Sequence, residues 1–291
     1  MKCTFVLLTF AILAVTSISY SQNKVKGGFK KCTVYSYNYK FGEVDIKSET
    51  KVENYKYDDK GNTIELIQYT NGSISFKDTY KYDDKGNQIE KVKYSADEIL
   101  RRSISKYDDG GNQIEEERYY PDGKVFSKTT YKYDDKGNRI EWVFYNEVGS
   151  VVGKNLYKYD AQGNTIEGVF YKSDGRVEEK FTAQYDERNH QIEYVKYNAE
   201  GSISGKDSNQ YSEKGDWIER MSYKANGLVD RRSTLKYDDN GNLIVYVSYN
   251  ADSLITWMET YKYDDNGNLT EKVSFSKLNE PEQKFVYEYS K

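Results

Sequence analysis

The chain has 291 residues with 43 Lys and Arg against 47 Asp and Glu, 37% apolar residues and a mean hydropathy of −0.92, too little apolar material for a thick conventional core. Tyrosine, at 31 copies, takes the place that aliphatic side chains usually fill, while proline occurs twice and histidine once. The balanced charge has no basic run able to neutralise phosphates, so nucleic acid is excluded as a partner.

The first residues, MKCTFVLLTFAILAVTSISYSQ, place one lysine before an apolar run and end on small residues at Ser19 and Ser21, as a secretory signal peptide does. Cleavage is expected after Ser21, giving a signal peptide over 1–21, an N-terminal segment over 22–34 and a repeat domain over 35–291. The run from Phe5 to Val15 is shorter than the about 20 residues needed to cross a bilayer, so no membrane span is expected after cleavage. Cys3 would leave with the signal. Cys32 would then have no partner, and no disulfide framework is expected.

Self-similarity begins near Tyr57. The heptapeptide KYDDKGN occurs at Lys56, Lys81 and Lys132, with KYDDGGN at Lys106, KYDAQGN at Lys158 and KYDDNGN at Lys236 and Lys262. The register tyrosines Tyr57, Tyr82, Tyr107, Tyr133, Tyr159, Tyr185, Tyr211, Tyr237, Tyr263 and Tyr289 are spaced by 25, 25 and then 26 residues. Asp-Asp-Lys-Gly predicts a type I hairpin turn closed by a residue in the left-handed region. Gly61, Gly86, Gly111, Gly137, Gly163, Gly215, Gly241 and Gly267 occupy that closing position, and Asn189 takes it in the stretch YDERNHQIE. His190, the single histidine, is then a turn-exit residue standing where most copies have Asn. No second His or Cys lies near it to complete a metal site.

After the turn each copy runs on as I-E-x-V-x-Y, meets a second polar turn such as TNGS after Tyr69 or KANG after Tyr223, and alternates again. Each repeat of about 26 residues is therefore two antiparallel β-strands and two turns, and the protein is all-β. Eighteen to twenty strands exceed the about 10 at which open sheets curl, so a long curled or spiral sheet is expected. Alternation puts Tyr80 and Tyr82 on one face and Lys77, Thr79 and Lys81 on the other. Pairing through the turn is expected to set Glu90, Val92 and Tyr94 beside the tyrosines. Those hydroxyls would then be hydrogen-bond donors to the glutamates. Trp142, Phe144, Phe170 and Tyr194 are expected on the lysine face.

The run Tyr261-Lys262-Tyr263-Asp264-Asp265-Asn266-Gly267-Asn268-Leu269-Thr270 resembles the YD repeat of Rhs-type proteins, over about residues 35–291. The resemblance implies an exported, β-rich protein whose strands wind into a spiral sheet, in larger members a shell around a toxic C-terminal domain. It covers the repeat region only. With Pro121 and Pro281 its sole prolines, the sequence shows no counterpart of the Rhs core motif or toxin domain. The period of 26 and the isoleucine in place of leucine also depart from that family. A weaker resemblance is to the shorter MORN-type hairpin repeats.

No nucleophile elbow, phosphate loop or Cys/His cluster is present. The glutamate column Glu65, Glu90, Glu115, Glu141, Glu167, Glu193, Glu219 and Glu271 repeats every two strands, about 10 Å, too far for a pair of glycosidase carboxylates. The turns lack the acidic spacing of a calcium loop. The sequence therefore points to no enzyme, cofactor or metal, and to a secreted structural or binding protein of the envelope or extracellular space. A toxin-associated scaffold of Rhs type is the alternative that the resemblance implies, and a glycan-active hydrolase is a further one. The candidate binding residues, for a glycan or a protein, are Tyr133, Tyr159, Tyr185 and Tyr211 with Tyr145, Tyr171 and Tyr197. Mass spectrometry of the exported protein is expected to find an N-terminus at Gln22; a retained Met1 would overturn the export argument.

Overall fold

The computed structural model describes residues 28–40, 43–95, 97–276 and 280–290; the expected signal peptide over 1–21 lies outside them. The strands in chain order are β1 (Lys31–Lys40), β2 (Glu43–Val44), β3 (Thr50–Tyr57), β4 (Thr63–Thr70), β5 (Ser73–Tyr82), β6 (Gln88–Ser95), β7 (Glu98–Tyr107), β8 (Gln113–Tyr119), β9 (Val125–Tyr133) and β10 (Arg139–Asn146). They continue as β11 (Val151–Tyr159), β12 (Thr165–Lys172), β13 (Val177–Tyr185), β14 (Gln191–Tyr197), β15 (Ile203–Tyr211), β16 (Trp217–Lys224), β17 (Val229–Tyr237), β18 (Leu243–Asn250), β19 (Ile255–Tyr263), β20 (Leu269–Phe275) and β21 (Pro281–Ser290).

Each strand from β3 to β21 pairs antiparallel with the next, and β1 pairs antiparallel with both β21 and β3. The sheet therefore closes into a barrel of twenty strands, with the two-residue β2 a side branch of β1. This corrects the expected spiral. An open repeat sheet would leave two edges of unpaired backbone, and β1, which begins within the segment set apart over 22–34, covers both. Cys32 and Val34 on that strand are 3% and 2% exposed. Cys32 is a free thiol, and burial pushes it up to about 12.

The first turn of each repeat is built by its aspartate. In Asp134–Gly137 the Gly137 amide donates to the Asp134 carbonyl at 3.0 Å, and Asp134 Oδ1 accepts from the amides of Lys136 and Asn138 at 3.0 and 2.8 Å. Asn138 Nδ2 donates to Asp134 Oδ2 at 2.9 Å, which accounts for the Asp-x-x-Gly-Asn pattern. The closing residue has positive φ, 83° at Gly137 and 65° at Asn189. His190 reproduces the missing asparagine: its Nδ1 lies 3.0 Å from Asp186 Oδ2, and its ring stacks on Tyr211 at 4.6 Å. The second turn explains the two short repeats. Thr70 pairs with Ser73 around Asn71 and Gly72, both at positive φ, a two-residue hairpin. The 26-residue repeats use a longer turn in which Gly149 donates to the Asn146 carbonyl.

Register then decides the two faces. Lys81 pairs with Glu90 and Tyr80 with Lys91, but Tyr82 pairs with Gln88, so one extra residue bulges on the returning strand. Because the side-chain period is two, that shift moves Glu90, Val92 and Tyr94 off the tyrosine face and onto the lysine face. The same shift carries Trp142, Phe144, Phe170 and Tyr194 to the tyrosine face, where Trp142 pairs with Tyr131 and Tyr194 with Ala183. The glutamate column is accordingly held by lysine and arginine rather than tyrosine. Glu90 meets Lys81 at 2.6 Å and Arg102 at 2.5 Å, and Glu167 meets Lys158 at 2.7 Å and Lys180 at 2.5 Å.

The tyrosine face is the concave one. Glu53, Gln68 and Phe76 of β3–β5 line one cleft of about 490 Å³ together with Val34 of β1 and Lys272, Phe285 and Tyr287 of β20 and β21, so the wall on both sides of the closing strand curves toward this face. Most of the buried residues share this inner face, with a cluster of Leu235, Leu243, Tyr246, Tyr261 and Leu269 on β17–β20. Here too the register tyrosines stitch one hairpin to the next. Pairing between β4 and β5 stops at Glu65 and Thr79, and beyond it the Tyr82 hydroxyl donates to the Thr63 carbonyl at 2.7 Å. The bond recurs from Tyr107 to Gln88, Tyr133 to Gln113, Tyr159 to Arg139, Tyr185 to Thr165, Tyr211 to Gln191, Tyr237 to Trp217, Tyr263 to Leu243 and Tyr289 to Leu269.

Tyr159→Phe removes one such hydroxyl, 2.6 Å from its carbonyl, and should cost about 1 kcal/mol and a few degrees of melting temperature. An unchanged melting curve would deny the ladder a role in stability. A second expectation concerns acid. The Asn138 amide, with the turn's backbone amides, holds Asp134 below its ordinary value, and Lys106 does the same for Glu115. Carboxylates with lowered folded pKa contribute fully above their unfolded values near about 4 and lose that contribution as the pH falls through the folded values. Melting temperature should therefore be flat from about pH 7 to 5 and fall below about 4; a flat profile down to pH 2 would contradict it.

Candidate lumenal binding strip

The seven candidate tyrosines do not form one site. Tyr133, Tyr159, Tyr185 and Tyr211 stand on the inner face at the rim of the first turns, half-buried, with hydroxyls donated to backbone carbonyls at 2.6, 2.6, 3.0 and 3.0 Å. Tyr145, Tyr171 and Tyr197 lie on the outer face near the second turns, paired with Val151, Val177 and Ile203. The barrel wall separates the two sets.

A different group converges inside. Tyr131 of β9, Trp142 and Phe144 of β10, Tyr157 of β11, Phe170 of β12, Phe181 of β13 and Tyr194 of β14 all share the inner face. Ring centroids lie 5.7 Å apart from Tyr131 to Trp142, 4.7 Å from Trp142 to Phe144 and 6.3 Å from Tyr157 to Phe170. They lie 6.0 Å apart from Phe170 to Phe181 and 4.9 Å from Phe181 to Tyr194. From β9 to β14 the strip spans about 24 Å of wall at about 4.8 Å per strand. Gly168 makes room for it: a Cβ there would sit 2.1 Å from the Phe181 ring.

The sequence signal for this strip is a column that varies while the others repeat. Leu66, Lys91, Glu116, Trp142, Gly168, Tyr194, Arg220, Tyr246 and Lys272 occupy the same place in successive copies. Periodicity highlights what is shared by every copy and passes over what distinguishes one.

Polar groups flank the rings. Arg139, at a position that is Thr63, Gln88 or Gln113 in earlier copies, places its guanidinium carbon 4.7 Å from the Trp142 ring, 5.6 Å from Tyr131 and 5.7 Å from Tyr157. Arg118 is held by Glu116 at 3.1 and 3.2 Å, and Arg220 by Asp207 at 2.6 Å. Burial pushes Tyr131 up to about 12, against the pull of Arg139, and raises Tyr157 and Tyr194 as well, so all three are neutral phenols at pH 7. The strip thus offers flat apolar faces with neutral polar tips. Among the described residues no cluster of three or more His, Cys, Asp or Glu could hold a metal.

On the outer face the Lys–Glu pairs form a charged belt, and among the described residues no helix is long and apolar enough to cross a membrane. No family model matches the chain, and no curated protein sequence matches it. Among solved structures it is similar to a porin-like protein from Bacteroides uniformis ATCC 8492, with 11% identity over 91% of this chain and 98% of that one at a TM-score of 0.40. A porin-like protein from Bacteroides vulgatus ATCC 8482 shares 12% identity over 90% and 98% of the two chains, at 0.28. The Photorhabdus luminescens Tc holotoxin pore shares 12% identity over 87% of this chain and 18% of that one, at 0.21. At these scores the likenesses add nothing to the barrel that strand pairing itself defines.

Proposed function

We propose that the chain is an exported, non-enzymatic binding barrel of the cell envelope or extracellular space, and that its inner aromatic strip holds a glycan. The observation that carries this reading is the run of rings from Tyr131 to Tyr194, singular among the repeats and half-buried except at the buried Phe181. Sugar rings present apolar faces edged by hydroxyls, and neutral tyrosine and tryptophan side chains match both. A polymer laid along the strip would meet several rings at once, so affinity should rise with chain length. The charged outer belt supports a wall wetted on both sides, since a lipid-facing barrel presents an apolar band about 25 Å tall. A purely structural role is favoured by one observation, the commitment of the register hydroxyls to the wall.

The two readings part in a glycan array run with melting curves on wild type, Trp142→Ala and Phe170→Ala. Binding predicts that wild type retains oligosaccharides and that each variant weakens them about five- to tenfold, the scale of one lost aromatic contact. The retained sugar should be recovered uncleaved. If wild type retains no glycan while both variants melt lower, the structural reading stands alone.

A further inference from the structure

The geometry points to an anionic glycan as the lumenal ligand, with Arg139 as the residue that receives its carboxylate or sulfate. The inference rests on the lumenal reading above and goes beyond it in naming the charge of the ligand and its direction along the strip. Among the described residues the cations neighbouring the strip are engaged by acids or rings: Arg118 by Glu116, Arg220 by Asp207, and Lys196 set over the Tyr194 ring at 5.8 Å. Of the three guanidinium groups, Arg139 alone makes no ion pair with a described carboxylate: it is held by the rings of Trp142, Tyr131 and Tyr157, and its Nε, like that of Arg220, is buried without a hydrogen-bond partner. The Trp142 Nε1 beside it is also buried and unpartnered.

Rings that stack on a guanidinium hold its plane without occupying its N–H donors, and a guanidinium edge meets an oxyanion through two parallel hydrogen bonds. Leaving such donors unmet is costly, and a ligand that supplies an acceptor gains accordingly. Toward the other end of the strip Glu179 on β13 pairs across to Phe170, and Asp207, Arg220 and Lys196 stand near Tyr194. A ligand bearing an acidic group is therefore directed with that group at Arg139, the guanidinium without a described carboxylate partner, and with its remainder along the rings toward Tyr194. Only the fourth copy of the repeat places a cation at this position, so one acidic group per barrel is recognised here.

The test is titration calorimetry with hexagalacturonate, its fully methyl-esterified form and a sulfated hexasaccharide, on wild type, Arg139→Gln and Arg139→Lys. The acidic hexamer should bind wild type at least about tenfold tighter than the ester, the scale of one charged hydrogen-bonded contact. Arg139→Gln should abolish that preference, so that acid and ester bind the variant alike, and Arg139→Lys should restore part of it. The relative affinity of the sulfated sugar tells which oxyanion the site prefers; tight binding that depends on Arg139 supports the inference for either. Salt titration of wild type needs no variant: the preference should shrink with ionic strength. Equal binding of acid and ester, or a preference that survives Arg139→Gln, overturns the anionic inference and leaves the lumenal reading standing. Failure of both hexamers to bind wild type overturns the two together.

Discussion

One hydrogen bond, from a tyrosine hydroxyl to a backbone carbonyl of the neighbouring strand, holds the barrel's first-turn rim together. The bulge that follows each first turn bends the returning strand away from its outer neighbour, so the ladder between β12 and β13 ends at Glu167 and Thr182. Two positions farther out the Thr165 carbonyl would be left without a backbone partner, and Tyr185 reaches across to it at 3.0 Å. Each such bond is modest alone. Repeated at every hairpin it fixes the stagger of one unit on the next, and lysines and arginines of the first turns add a second tie, as when Lys136 Nζ meets the Ala161 carbonyl at 3.1 Å.

That arrangement explains why tyrosine replaces leucine in so polar a chain. An inner face curved round a lumen cannot be buried by an opposing layer, so its side chains must cover their own strands while their tips stay compatible with water. Tyrosine does both. Where the lumen face is most tightly covered, near the closing strand, small residues such as Cys32 and Val34 lie beneath the rings of Tyr55, Tyr57, Tyr287 and Tyr289 on the strands either side. The charges that a thin wall can hold in solvent are placed outside as Lys–Glu–Lys runs, each pair contributing little by itself.

Function and architecture are carried by different columns of the repeat. The invariant positions build turns, the rim ladder and the charged belt. The variable inner positions hold Trp142, Gly168, Tyr194 and Arg139, and these give one stretch of an otherwise uniform wall its own surface. In a closed ring of similar units such departures cost little, because each hairpin is held mainly by its two neighbours.

The amino-acid sequence by itself determined the local structure. Asp-x-x-Gly-Asn sets the first turn through interactions within five residues, alternation sets the strands, and the spacing of 25 or 26 counts the hairpins. His190 was legible as a turn residue for the same reason, its partner Asp186 being four residues away. Of the candidate site, Trp142, Phe144, Phe170 and Tyr194 stood out as unusual, but their face was misplaced by the single bulged residue after each turn, which reverses every side chain beyond it. Tertiary structure decided that face, and with it the separation of Tyr133 from Tyr145. It also decided closure. Whether a long hairpin array stays open or meets itself depends on the accumulated twist and on β1 pairing with a strand some 250 residues away, as Lys31 does with Ser290, and no local pattern encodes that contact.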